Sequence, residues 1–107
     1  MKPNDFSYYI HKFLVIYLPN EKAASINTLD TYRYTFILYL EFQKTKNILA
    51  DKITIKDFTR QSVIEFLNWL EIDRNSSIST RNNRLACLFS FCRFLQYEYP
   101  DYLNNYN

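Results

Sequence analysis

The chain has 107 residues, of which 48% are hydrophobic, with ten Tyr, nine Phe, one Trp and no Gly. Such apolar content excludes a disordered segment, and the length is enough for one domain with one core. The lack of glycine excludes Gly-rich phosphate loops and weakens any all-β reading, since hairpin turns lean on Gly for positive φ. The net charge of +2 is too small to argue for a nucleic-acid partner by itself.

The first predicted element is an amphipathic helix capped by Asp5. Phe6, Tyr9, Ile10, Phe13, Leu14 and Tyr17 recur at helical spacing, and Pro19 with Asn20 should end it. After the polar link "NEKAAS", Ser25 should cap a second helix running to about Lys44, with Leu29, Tyr32, Phe36, Ile37 and Leu40 as its apolar stripe. Asn47 is its C-terminal stop. "ILADKITIKDF" reads as a packed loop with a short helical turn rather than a strand. Thr59 should cap a third helix that buries Val63, Phe66, Leu67 and Leu70, with Trp69 beside them, before Asp73-Arg74-Asn75 closes it. Ser77 should cap the fourth and longest helix, ending near Tyr97. Leu85, Leu88, Cys92 and Leu95 share one face of it, flanked by Phe89 and Phe91. At about 100° per residue the opposite face carries Ser79, Asn82, Asn83, Ala86, Ser90 and Arg93. The tail "PDYLNNYN" reads as a linker or frayed end.

Charge is distributed unevenly. From Arg74 to Tyr97 there are four arginines (Arg74, Arg81, Arg84, Arg93) and no carboxylate. A local patch of this kind can hold phosphate although the whole chain is nearly neutral. The second and fourth helices also open alike, "SINT" (Ser25–Thr28) against "SIST" (Ser77–Thr80). Two readings stand for that match: the common grammar of helix starts, or two N-termini doing the same job on phosphate.

Other chemistry finds little support. Cys87 and Cys92 are five apart in one helical pattern, neither a CxxC nor a feasible disulfide, and read as reduced, partly buried thiols of a cytoplasmic protein. His11, the lone histidine, reads as an exposed helix residue, and no metal or cofactor site is expected. No apolar stretch approaches the ~18 residues of a membrane helix, so no membrane partner is expected. Trp69 and the phenylalanines read as core, whereas Tyr34, Tyr39 and Tyr97 read as exposed.

The order of these elements resembles a known family. "SINTLDTY", an "IT-x-x-D/F" link into "VIEFLNWL", and "SISTRNNRLACLFSFCRFL" together resemble the N-terminal core-binding, SAM-like domain of tyrosine recombinases, the phage-integrase family. The resemblance covers roughly Phe6 to Tyr99 and is most specific in its last segment. It implies an all-α fold, a small orthogonal bundle of four main helices. Residues 1–99 would form the core-binding domain, and 100–107 a linker-like tail toward an absent catalytic domain. In that family this domain and a C-terminal catalytic domain clamp duplex DNA near the crossover site. The partners implied are double-stranded DNA, the catalytic domain of the parent chain and other recombinase subunits.

Carried over by position, the resemblance makes Thr28 and Arg33 phosphate or groove candidates on the second helix. On the fourth it makes Ser79, Thr80, Arg81, Asn83 and Arg84 candidates. The family's catalytic arginines, lysine, histidines and tyrosine nucleophile belong to the other domain, so this chain is expected to bind DNA without cutting it. Plainer readings stand beside these. Arg81 and Arg84 could form a solvated first turn whose stems cover apolar surface. The whole chain could be a helical protein–protein interaction or small regulatory domain, marked by exposed aromatics and by arginines paired to acids.

Overall fold

The computed structural model describes residues 5–98. The fold is all-α, and among the described residues there is no strand. The main helices are α1 (Asp5–Lys12), which continues as a π-helical segment (Phe13–Glu21), α2 (Ile26–Thr45), α3 (Arg60–Ile72) and α4 (Ile78–Glu98). Two compact units divide the chain, Met1–Thr54 and Ile55–Asn107. The linker-like tail expected at 100–107 lies outside the described residues.

In the first unit the sequence pattern of α1 holds, but its end does not fall at Pro19. The helix widens at Phe13 and runs through Pro19 to Glu21. In an α-turn the proline ring would strike the carbonyl of Val15 and leave a carbonyl without its donor. A π-turn moves each bond to the carbonyl five residues back and opens the ladder around the ring. The segment ends on a bond of that type, from Lys22 N–H to the Tyr17 carbonyl at 3.2 Å.

The stripe of α2 is also rotated from expectation. Phe36, Leu38, Tyr39 and Phe42 are buried with Thr35 and Gln43, whereas Ile37 is 50% exposed and Leu29, Tyr32 and Leu40 are half-buried. "FILYLEF" is apolar nearly all round, so periodicity alone leaves its inward face open. Aromatic packing resolves it. Tyr39 meets Phe6 at 5.8 Å between ring centroids, and Phe36 meets Phe13 edge-on at 6.2 Å. Tyr39, expected outside, is therefore fully buried, while Tyr34 and Tyr97 are exposed as expected.

The expected packed loop with short helical turns is present. The link between α2 and α3 contains two short 3-10 turns, Ala50–Lys52 in the first unit and Ile55–Asp57 in the second. Ile53, Ile55 and Phe58 are fully buried. Thr59 then caps α3 reciprocally: its Oγ1 accepts from the Ser62 N–H at 3.1 Å, and Ser62 Oγ accepts from the Thr59 N–H at 3.0 Å. Val63, Phe66, Leu67 and Leu70 are buried, as their spacing predicts. They share the unit's core with Cys87, Leu88, Phe91, Cys92, Phe94 and Leu95 of α4. Phe58 packs on Phe91 at 5.5 Å. Phe94 joins this core where Phe89 was expected at its flank; Phe89 is 45% exposed and Leu85 is half-buried. Both cysteines are buried free thiols.

Three helix ends close in the same way. Ala23, Asn47 and Asn75 have φ of 48°, 63° and 55°. Each takes the left-handed position that glycine would ordinarily fill. The preceding residue is in every case a cation over an aromatic ring: Lys22 over Tyr17 at 5.7 Å, Lys46 over Phe42 at 5.4 Å and Arg74 over Trp69 at 5.5 Å. Positive charge at a helix C-terminus also complements the macrodipole.

Candidate nucleic-acid interface

The shared openings of α2 and α4 are one structure used twice. Ser25 Oγ accepts from the Thr28 N–H at 3.2 Å and donates to Thr28 Oγ1 at 3.0 Å. Ser77 Oγ accepts from the Thr80 N–H at 3.1 Å and donates to Thr80 Oγ1 at 3.1 Å. Each serine thus satisfies one of the free donors of the first turn and fixes the threonine side chain. Because each threonine oxygen accepts, its own hydroxyl hydrogen is left to point elsewhere.

On α2 the two candidates do not share a face. Thr28 and Arg33 are five residues apart, which separates them by about 140° around the helix. Arg33 is exposed and paired through Nη1 with Asp30 Oδ1 at 2.9 Å, one turn back. An exposed pair of this kind contributes about 0–1 kcal/mol, so a stronger anion could displace it.

On α4 the candidates divide into two sets. Ser79 and Asn83 are exposed on the polar face, where Asn82, Ala86 and Arg93 are exposed with them. Thr80, Arg81 and Arg84 sit on the flank and are half-buried. No residue of α4 before its final Glu98 is acidic. Yet the structure brings in an acid that the helix itself lacks. Glu71, in the last turn of α3, lies 2.6 Å from Arg81 Nε through Oε1. The geometry is that of an ion pair rather than a directed hydrogen bond, since the Nε–H has no properly aligned acceptor. Arg81 Nη1 reaches Asn82 Oδ1 at 3.4 Å. Sequence reading missed Glu71 because the contact crosses between two helices and has no local spacing to betray it. The exposed Asn82 and Arg93 were legible from the helical wheel but carried no family match.

Among the described residues no group of His, Cys, Asp and Glu could hold a metal ion. No helix among them is long and apolar enough to cross a membrane. A shallow apolar groove lies elsewhere, in the first unit, lined by Ile37, Leu40, Glu41, Lys44, Leu49 and Ala50.

Comparison with known proteins places this architecture. Residues 7–101 match the family model described as "Phage integrase, N-terminal SAM-like domain", and the chain belongs to that family. It is 27% identical over 94 residues to "Putative integrase/recombinase y4rC" of Sinorhizobium fredii (strain NBRC 101917 / NGR234), covering 87% of this chain and 28% of that protein. It is 32% identical over 77 residues to "Putative integrase/recombinase y4rD" of the same strain, covering 69% of this chain and 27% of that protein. The chain thus spans little more than a quarter of the length of these curated relatives. No solved structure matches.

Proposed function

We propose that the chain is the DNA-positioning module of a site-specific recombinase. It would hold duplex DNA near the crossover site while residues outside this domain cut and rejoin the strands. The observation that carries this reading is the exposed face of α4, where the helix itself supplies Ser79, Asn82, Asn83 and Arg93 and no carboxylate before Glu98. An acid on such a face would meet phosphate; amides, hydroxyls and arginine would instead donate to it. The matching Ser–Thr caps of α2 and α4 support the reading, because each first turn offers N–H donors and a fixed threonine hydroxyl. Thr28, Arg33, Thr80, Arg81 and Arg84 complete the proposed contacts, most of them to phosphate rather than base edges. Double-stranded DNA, the parent's catalytic domain and neighbouring recombinase subunits are the partners, met in the cytoplasm.

The test is a titration of the chain with a labelled duplex at about 20 mM and about 200 mM salt. With about three phosphates neutralised, affinity should fall by several hundredfold over that tenfold range. Asn83→Asp places one carboxylate on the exposed face without touching the core and should weaken binding at low salt. A variant that binds as well as the wild type would remove the α4 face from the interface.

A second reading has one observation in its favour. Ile37 and Leu49 are 50% and 55% exposed beside the groove of the first unit, so that surface would suit a protein contact.

A further inference from the structure

We infer that Glu71 is a positioning residue that holds Arg81 ready for a phosphate; the inference rests on the DNA-binding reading above. A guanidinium has a fork of five N–H donors, and its two outer nitrogens make one edge that can take a phosphate bidentately. Glu71 Oε1 sits against the inner nitrogen, Nε, at 2.6 Å, and that nitrogen is buried. The outer nitrogen Nη1 lies 3.4 Å from the side-chain oxygen of exposed Asn82. Arg81 is therefore held at Nε, with Nη1 toward the exposed Asn82 of its own helix. Among the described residues the Arg81 side chain makes no other hydrogen bond or ion pair.

The place of Glu71 argues that it serves something other than its own helix. It stands in the last turn of α3, where a negative charge opposes the helix macrodipole. A free arginine must give up rotamer freedom when it binds, whereas an arginine already held gives up less. Against this, a carboxylate near the interface repels phosphate. Glu71 meets Arg81 at Nε, and its side chain is 41% exposed, so the high dielectric of water weakens that repulsion. Ordering therefore outweighs repulsion, and losing Glu71 should weaken DNA binding rather than strengthen it.

The experiment is a double-mutant cycle on duplex affinity at low salt, using wild type, Glu71→Ala, Glu71→Gln, Arg81→Ala and Glu71→Ala/Arg81→Ala. Glu71→Ala is expected to weaken binding about threefold to tenfold, the cost of ordering one long side chain. Glu71→Gln, which keeps the length of the side chain but removes the charge that makes the ion pair, should recover little of that loss. On the Arg81→Ala background, Glu71→Ala should have no further effect. The inference is overturned if Glu71→Ala tightens binding, which would make Glu71 a competitor for Arg81. It is also overturned if Glu71→Ala costs the same without Arg81, which would make its role structural. Wild type that binds while Arg81→Ala binds equally well overturns the inference and leaves the DNA-binding reading standing. Wild type that fails to bind removes both.

Discussion

Gln43 donates from Nε2 to the Tyr39 hydroxyl at 2.8 Å, one helical turn back along α2, and both side chains are buried. The other half of the amide, Oε1, has no hydrogen-bond partner. Buried polar pairs are expensive to break from one side, because the abandoned group keeps its desolvation cost. Tyr39→Phe should therefore destabilise the chain by about 1–3 kcal/mol. Adding Gln43→Met to that variant should restore much of the loss, since both polar groups then leave the core together. Urea denaturation of the three proteins checks this. A double variant no better than Tyr39→Phe would show that the pair is needed for its shape.

The twin caps of α2 and α4 make a second prediction. Ser25→Ala and Ser77→Ala each remove an acceptor for a first-turn N–H and should cost about 1 kcal/mol. Ser→Gly at either site should cost only a few tenths. Hydrogen exchange gives the local check: the Thr28 amide should lose protection in the first variant and the Thr80 amide in the second.

Backbone conformation at Ala23 makes a third. An alanine at φ 48° suffers a clash that glycine avoids. Ala23→Gly should stabilise the fold by about 0.5–1 kcal/mol, less whatever the freer unfolded chain takes back. A melting temperature raised by a few degrees would confirm it, and an unchanged one would mean the two effects cancel.

Two phenylalanines separate core from surface. Phe58 is fully buried against Phe91, and Phe58→Ala should cost about 3–5 kcal/mol. That is a large share of the stability of a small domain. Phe89 is 45% exposed, so Phe89→Ala should change stability by no more than about 0.5 kcal/mol. Equal losses in equilibrium unfolding would contradict the burial described for α4.

Much of the architecture is legible along the chain because it rests on local chemistry. Ser25, Thr59 and Ser77 each announce a helix start, and all three make the bonds a cap should make. Asn47 and Asn75 announce stops, and both are left-handed. The family could also be recognised from the order of these signals. The misreadings have a common origin in contacts made at a distance along the chain. Ile37 and Tyr39 lie on a helix apolar on several sides, and only the positions of Phe6 and Phe13 decide which side turns inward. Phe94, which the sequence reading did not single out, takes a core place while Phe89 is exposed, for a similar reason. Pro19 is a reliable α-helix breaker, and the π-turn that accommodates it has no simple sequence signal. The partner of Arg81 comes from another helix, so an acid-free stretch of sequence is not an acid-free surface.

The three closed helix ends limit how this chain can drift. Each pairs a ring with a cation four or five residues later, followed at once by a left-handed residue. Inserting or deleting one residue inside that span would swing the ring about 100° away from its cation. Helix surfaces can exchange residues freely, but these spans cannot change length. Among relatives that keep the corners, insertions and deletions should therefore fall outside 17–23, 42–47 and 69–75. Positions 47 and 75 should accept little beyond Asn, Asp and Gly. The chain keeps time at its corners, and an alignment of relatives would show it as three fixed spacings in a sequence otherwise free to vary.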